Sequence, residues 1–347
     1  MSLTCIRHIR VWRDGEPVSR EIPHDGLIEE IKDPATLVWV DLVDPTPADL
    51  RRLGSELGLS HGAIEDATAP LERPKVVRHA QHLFFQTYAT TLDLPTADSP
   101  DGMVEADKVV AREGHDGRLR TSRISGFVLP QAVVTVRLGE DFDIDEVMRR
   151  WSEDYDLVTH GAGALMHGLL DTIVDGHFDT IQRLDDAIEA LEDVLFDEVS
   201  TGREFAQAVY GLRKDLVQLR RVVLPMREVV NGLLRHRPTG VAELDLAYED
   251  LYDHVLRAAE WTESLRDMVT SVFETNLSLQ DARLNIVMKK LAGWAAIIAV
   301  PTAITGWFGQ NVPYPGFSQV SGYWQSLGLI VILSVTLYIV FKRRDWL

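Results

Sequence analysis

The chain has 347 residues, of which 53 are acidic and 35 are Lys or Arg, so its formal net charge is −18. A hydrophobic content of 46% is sufficient for packed cores and excludes a wholly disordered chain. The acidic balance argues against a nucleic-acid-binding protein, which needs a cationic surface. The single cysteine, Cys5, excludes a disulfide framework and a cysteine-based zinc site, and it fits a reducing compartment.

Residues 1–143 are predicted to form an α/β domain, because short β-rich runs alternate with brief helical patterns. The predicted strands are 4–12, 36–41, 83–91, 125–128 and 132–137. Thr46 and Pro47 carry the cap and first-position signals of a helix that extends to residue 57, and a shorter helix is predicted over 61–67. A loop is predicted over 94–105, where Pro, Asp and Gly are frequent.

Other motifs in the sequence do not predict an enzyme. There is no HExxH motif, no glycine-rich phosphate loop and no GxSxG motif. His79 and His82 are spaced as a metal-binding pair would be on a helix, but they lie in or beside a predicted strand. We therefore expect them to be solvated histidines.

Residues 144–240 are predicted to form two helical arms of opposite charge. Residues 171–198 carry ten acidic side chains and one basic side chain, whereas residues 203–237 carry eight basic and three acidic side chains. The arms are expected to pair with each other in an antiparallel arrangement across a break at residues 200–202. The alternative is that the surplus acidic charge concentrates divalent cations near a pore mouth.

A stalk helix is predicted over residues 241–290. Residues 241–292 contain neither Gly nor Pro, and 52 helical residues extend for about 78 Å. Apolar side chains follow a 4-3 spacing from Leu244 to Leu279, so this face needs neighbouring helices from the same chain or from other copies. Nothing interrupts the helix before the first apolar span.

Two apolar segments predict a membrane hairpin. Residues 291–308 and 323–341 are uncharged and about as long as a membrane crossing, and basic residues flank them at one end only. By the positive-inside rule, the loop 309–322 is extracytoplasmic, and both termini, including the basic tail 342–347, are cytoplasmic. The predicted fold is thus an α/β N-terminal cytosolic domain, a long α-helical stalk and two C-terminal transmembrane helices.

One face of the first span is suited to lining a pore, which with two spans per chain requires an oligomer. This face is formed mainly by small and polar residues at alternating three- and four-residue steps: Asn285, Met288, Ala292, Ala295, Ala299, Thr302, Gly306 and Gly309. The Asn285 and Thr302 oxygens face a hydrated ion in this interpretation, and Met288 with Leu291 forms an apolar gate. Ordinary close packing of membrane helices explains the same spacing equally well.

Several motifs in a fixed order resemble the CorA-type magnesium/cobalt transporter family over nearly the whole chain. They are Trp39-Val-Asp41, Glu65-Asp66 with Arg73-Pro74-Lys75, Pro225-Met-Arg-Glu228, Tyr252-Asp-His254, and a Gly-x-Asn turn after the first span. The resemblance implies a funnel-shaped homopentamer whose first transmembrane helix lines the conduction path. It also implies that the Gly-x-Asn turn forms the ion entrance.

The entrance turn is Gly309-Gln310-Asn311, whereas the family usually has Gly-Met-Asn. The resemblance implies that Asn311 receives the hydrated cation, because Mg²⁺ dehydrates reluctantly and amide oxygens bind its water shell. Position matching with the family places an inter-subunit regulatory metal site on Asp93 and Asp250. Two solvated surface acids are the alternative for this pair.

The resemblance implies divalent-cation transport across the plasma membrane, with Mg²⁺ or Co²⁺ influx gated by cytosolic metal. No prosthetic group is implied, and Mg²⁺ or another divalent cation serves as substrate and regulatory ligand. Because residues 309–322 lack charge, a ZntB-type Zn²⁺ transporter with possible proton coupling is a second interpretation. A membrane-anchored metal-sensing scaffold that conducts nothing is a third. The expected partners are further copies of the chain, divalent cations including Zn²⁺, and the lipid bilayer, without nucleic acid.

Overall fold

The computed structural model describes residues 5–18, 26–69, 72–93, 118–153, 155–195, 203–236 and 241–347. It divides the chain into two compact units, Met1–Val272 (unit 1) and Phe273–Leu347 (unit 2). The predicted loop 94–105 and the predicted break at 200–202 lie outside the described residues.

Unit 1 contains a seven-stranded sheet. Its strands are β1 (Ile6–Arg13), β2 (Glu16–Pro17), β3 (Thr36–Val43), β4 (Lys75–Arg78), β5 (Leu83–Leu92), β6 (Leu119–Val128) and β7 (Ala132–Leu138). They are ordered β2-β1-β3-β7-β6-β5-β4. The pairing of β3 with β7 is parallel and the other described pairings are antiparallel. The α/β domain predicted from the sequence is therefore confirmed.

Helices cover both faces of this sheet. They are α1 (Leu27–Lys32), α2 (Pro47–Leu57), α3 (His61–Thr68), α4 (Ile144–Glu153), α5 (Tyr155–Val158), α6 (Ala162–Leu195), α7 (Arg203–His236) and the first part of α8 (Ala242–Phe308). One core lies between the sheet and α1–α3, with Leu50 and Phe84 at its centre. The other core lies between the sheet and α4–α8 and contains Trp39, Trp151 and Tyr248.

Helix α2 begins where its cap signal predicted. The Thr46 hydroxyl accepts a hydrogen bond from the Asp49 N–H, and the Asp49 carboxylate accepts one from the Thr46 N–H, which together form a capping box. Pro47 occupies the first turn, where its missing N–H costs no helical hydrogen bond. Gly58 ends the helix in the left-handed conformation, with φ of 68°.

Strand β6 is longer than predicted. It begins at Leu119 rather than at residue 125, and it pairs with β5 along its whole length. The polar run 120–123 concealed this strand in the sequence. In the structure Arg123 is buried because its guanidinium donates to the carbonyl oxygens of Ala67 and Ala69, at the end of α3. The carbonyls compensate the guanidinium for its lost hydration.

The expectation that both histidines of the 79–82 turn are solvated was wrong for His82, which is 2% exposed. Its ring stacks on that of His79 at 4.7 Å between centroids and lies 5.9 Å from the Phe127 ring. Burial lowers the pKa of His82 to about 4, and the positive charges of His79 and Arg78 add to this effect. His82 is therefore neutral at pH 7 and packs as part of the core.

The predicted stalk seam is buried in unit 1. The seam residues with less than a tenth of their surface exposed include Leu244, Tyr248, Leu251, Val255, Ala258, Thr262, Leu265, Val269 and Val272. Helix α8 continues without a break to Phe308, so the predicted stalk and the first apolar segment form one helix. Unit 2 comprises the rest of α8, a loop and α9 (Val320–Arg343).

The two arms α6 and α7 contact each other, as the charge pattern suggested. Described ion pairs also link each arm to other helices. Arg150 of α4 binds Asp171 of α6, and Arg220 of α7 binds Glu263 of α8.

A buried ion pair fixes the centre of the sheet. Asp41 on β3 is 0% exposed, and Arg137 on β7 donates to it from Nη2 at 2.7 Å and from Nε at 3.1 Å. The Thr135 hydroxyl donates to the same carboxylate at 2.7 Å, and Arg137 Nη1 donates to the Phe142 carbonyl oxygen at 3.2 Å. Both charges are therefore desolvated but hydrogen-bonded.

We expect Arg137→Met to lower the free energy of unfolding of the full chain by about 3–5 kcal/mol, because it leaves the Asp41 carboxylate buried without its counter-charge. Urea unfolding followed by tryptophan fluorescence measures this change. The control is Arg7→Met, which removes an exposed pair with Glu140 and should cost about 0–1 kcal/mol. Equal losses in the two variants would contradict the assignment.

Candidate functional site

Unit 2 provides the membrane-spanning part of the site. Two helices, α8 and α9, are long and apolar enough to cross a bilayer. Gly293 of α8 packs against the end of α9 and the residues that follow it. A Cβ on Gly293 would contact the side chains of Phe341 and Leu347. The Trp294 and Tyr338 rings also lie 6.5 Å apart. The two apolar helices therefore contact each other at this end.

The residues of the predicted pore face are exposed, as are most other side chains of this part of α8. Met288 is 67% exposed and Leu291 is 70% exposed, and Ala295, Ala299 and Thr302 are exposed as well. Asn285 is exposed and its Nδ2 donates to the Asp281 carbonyl oxygen at 3.0 Å. Thr302 Oγ1 donates to the Ile298 carbonyl oxygen at 3.3 Å. Each of these two side chains keeps an oxygen able to accept a further hydrogen bond.

Lack of space for a side chain explains why glycine occupies position 309 in the turn after α8. The Gly309 N–H donates to the Thr305 carbonyl oxygen at 2.8 Å, and a Cβ on Gly309 would lie 2.9 Å from that oxygen. Any larger residue therefore has to displace the end of the helix. Gln310 and Asn311 follow with exposed side chains, so both amides are free to meet an ion from solvent.

The rest of the loop folds onto the end of α8. The Tyr314 hydroxyl donates to the Phe308 carbonyl oxygen at 3.2 Å, and its ring lies 5.0 Å from the Phe308 ring. Gly316 has φ of 89°, which favours glycine. These contacts hold the uncharged loop in a compact shape beside the Gly309-Gln310-Asn311 turn.

The two predicted regulatory acids occupy different elements of unit 1. Asp93 follows the last residue of β5, is exposed, and its N–H donates to the Arg118 carbonyl oxygen at 3.0 Å. Asp250 lies on α8 with its carboxylate 3.7 Å from His254 Nε2. A site shared between neighbouring subunits is a prediction that a single chain does not test.

The structure brings together a third set of metal-ligand side chains that the sequence analysis missed. Asp171 and Asp175 of α6 and His254 of α8 place one ligand atom each within 4.8 Å of one another. The two carboxylates are one helical turn apart on α6, which is the signal that the sequence offered. The histidine, about 80 residues away, joins them through the packing of α8 on α6.

Arg150 of α4 occupies the charge-compensating position in this cluster. Its guanidinium donates to Asp171 at 2.9 Å and to Asp175 at 2.6 Å. Burial raises the pKa of the Asp171 carboxyl, and the neighbouring charge of Asp175 raises it further. Trp151, which is 4% exposed and whose indole N–H has no hydrogen-bond partner within the described part of the chain, lines a small cavity with Arg150, His167 and Asp171.

Two exposed, membrane-length helices joined to a large α/β and helical unit define a two-span integral membrane protein. The sequence profile described as CorA-like Mg²⁺ transporter protein matches residues 34–343. The chain therefore belongs to the CorA family of divalent-cation transporters, whose members are ion transporters and not enzymes. The family resemblance found in the sequence is confirmed.

Similar proteins match most of the chain, and the solved structures among them show a shared fold. The cobalt/magnesium transport protein CorA of Thermotoga maritima is 27% identical over 320 residues, covering 91% of this chain and 85% of that protein. The structure of the CorA magnesium transporter from Methanocaldococcus jannaschii has a TM-score of 0.70, with 22% identity and 98% of each chain covered. The cytoplasmic domain of ZntB from Vibrio parahaemolyticus has a TM-score of 0.50, with 13% identity, 73% of this chain and 96% of that chain covered.

We expect Arg150→Met to tighten the binding of Co²⁺ to the Asp171, Asp175 and His254 cluster by about tenfold or more, because a competing cation is removed. Asp171→Asn should weaken it. The visible absorption of Co²⁺ titrated into the metal-free full chain reports occupancy with a histidine ligand.

The matched control is Arg149→Met, one position earlier on α4, where the side chain pairs with Glu146 and Glu153 instead. If the Arg149 and Arg150 variants bind Co²⁺ alike, the cluster is not a metal site.

Proposed function

We propose that this protein is a homopentameric, channel-like transporter that admits Mg²⁺ or Co²⁺ into the cell under control of cytosolic metal. The observation that carries the proposal is the exposed face of α8 from Met288 to Thr302, which ends at the Gly309-Gln310-Asn311 turn. One chain leaves this face of small and polar residues uncovered. Several copies around an axis would cover it and enclose a narrow path.

The entrance step uses the amides of Gln310 and Asn311. Mg²⁺ gives up its water shell reluctantly, and a ring of amide oxygens binds the bound waters without removing them. Gly309 lets the chain turn sharply enough to present these amides at the end of α8. The middle residue of the turn then sets which hydrated ion fits best.

Beyond the entrance, the path alternates polar and apolar levels. The Thr302 hydroxyl and one Asn285 N–H already donate to the helix backbone, and the oxygens of both side chains remain able to accept hydrogen bonds from a hydrated cation. Met288 and Leu291 lie between them and form an apolar constriction that closes by dewetting. In this proposal residues 291–308 line the path and 309–322 form the outer loop.

The charge flanks set the proposed orientation. Lys289 and Lys290 precede the first span and residues 342–344 follow the second, which favours a cytoplasmic location for both termini in the plasma membrane. A membrane potential negative inside then favours divalent entry by about 4.6 kcal/mol per 100 mV, twice the single-charge value. No nucleotide-binding motif is needed for this driving force.

Zinc transport is the second candidate, favoured by one observation. The loop 309–322 carries no charged side chain and has Gln310 in the middle of the turn, so attraction of cations at the outer mouth is weak. Uptake of Mg²⁺, Co²⁺ and Zn²⁺ by the full chain in liposomes, with and without a pH gradient, distinguishes the candidates. A scaffold without transport activity gives no metal-dependent flux.

We expect Asn311→Ala to lower Mg²⁺ uptake into proteoliposomes by about tenfold at low Mg²⁺, equivalent to about 1.4 kcal/mol, because the entrance loses a ring of amide oxygens. Val312→Ala is the control, since it alters the next exposed residue without changing an oxygen ligand. Unchanged uptake and ion preference in Asn311→Ala would show that the turn is not the entrance.

We expect Asp250→Ala to raise the internal Mg²⁺ concentration that half-inhibits uptake severalfold, because one carboxylate of the proposed Asp93–Asp250 bridge is lost. Asp93→Ala should act alike, whereas Asp253→Ala, an exposed acid on the same helix, should not. If Asp171→Asn shifts inhibition and Asp250→Ala does not, sensing belongs to the cluster with Asp175 and His254 instead.

A further inference from the structure

The two basic groups that flank the spans lie together in unit 2. Lys289 and Lys290 lie one turn before Gly293 on α8. Residues 342–344 lie in sequence between Phe341 and Leu347, and the side chains of these two residues both lie close to Gly293. All five Lys and Arg side chains are exposed. Among the residues that the structure describes, none of the five forms an ion pair with a carboxylate, although Asp345 is nearby in sequence.

The end of the described chain is folded back to hold this arrangement. Asp345 has φ of 53°, which reverses the chain after α9. The Trp346 N–H donates to the Phe341 carbonyl oxygen at 2.9 Å, and the two rings stack at 5.4 Å with an interplanar angle of 6°. Leu347 then reaches the surface of α8, with its Cδ2 3.4 Å from where a Gly293 Cβ would lie.

The resulting surface has the composition of a lipid-headgroup site. Lys and Arg that project beside half-buried aromatic rings at a span end lie at the depth of lipid phosphates. Lys342 Nζ also lies 5.8 Å from the centroid of the Tyr338 ring, so its stem runs along the apolar helix while its charge stays at the interface. Unpaired cations at this depth attract anionic headgroups, and soluble phosphate lacks the acyl chains that would add apolar contact.

We propose that Lys289, Lys290, Lys342, Arg343 and Arg344 form a binding surface for anionic phospholipid headgroups, kept in shape by the Trp346 and Leu347 fold-back. The headgroup phosphates supply the negative charge that no described carboxylate supplies, and the acyl chains lie along the exposed side of α9. This inference does not rest on the proposed ion transport, because lipid retention by the chain can be measured without any measurement of ion flux.

Native mass spectrometry of the full chain released from mixed micelles tests the proposal by counting retained phosphatidylglycerol against phosphatidylcholine. The wild-type chain should retain phosphatidylglycerol preferentially. The Lys342→Gln, Arg343→Gln, Arg344→Gln triple variant should lose most of that preference, about tenfold in apparent affinity. Arg221→Gln, Arg227→Gln, Arg235→Gln on α7 removes the same charge from exposed positions in unit 1 and should retain it.

Two further double variants separate the alternative explanations. Arg343→Lys with Arg344→Lys keeps the charge and should bind as the wild type does, so the expected loss in the Gln variant is attributed to charge and not to the guanidinium groups. Trp346→Ala with Leu347→Ala should weaken retention while leaving all five cations. Equal retention by the Gln variant and the wild type, or full competition by inorganic phosphate, would overturn the proposal.

Discussion

The interior of a bilayer offers no water to backbone N–H and C=O groups, and unit 2 meets this constraint with helices alone. Helix α8 continues through Pro301, which lacks an N–H, and the Thr305 hydroxyl donates to the Pro301 carbonyl oxygen at 2.8 Å. Two helices satisfy their own backbones but cannot enclose water. Every transport property therefore depends on surfaces that one chain leaves open, and the small side chains on α8 allow other copies to approach them.

Unit 1, unlike the apolar spans of unit 2, contains carboxylates that are buried or partly buried, and it pairs them with arginines of the same chain. Arg137 neutralises Asp41 inside the sheet, and Arg150 neutralises Asp171 and Asp175 between helices. The first pair is closed off from solvent and serves the fold. The second is partly exposed and lies beside His254, a further side chain of a type that ligates metal ions.

Local and periodic features were predictable from the sequence because neighbouring residues determine them. The Thr46 cap, the α8 seam and the two spans are examples, and the family motifs added the Gly309 to Asn311 turn. The burial of His82 and Arg123 was not predictable, because their surroundings come from Phe127 and from the end of α3. The Asp171, Asp175 and His254 cluster also required the packing of helices distant in sequence.

The hydrogen bonds made by Asn285 and Thr302 affect which ions the proposed path would exclude. The Asn285 amide donates one of its two N–H groups to a backbone carbonyl of its own helix, and the Thr302 hydroxyl donates its only proton in the same way, which leaves no side-chain donor at Thr302. Chloride needs donors to replace its hydration, and it would find only oxygen lone pairs there. In the proposed path, discrimination against anions at Thr302 thus begins with one intrahelical hydrogen bond, and it requires no charged side chain at that level.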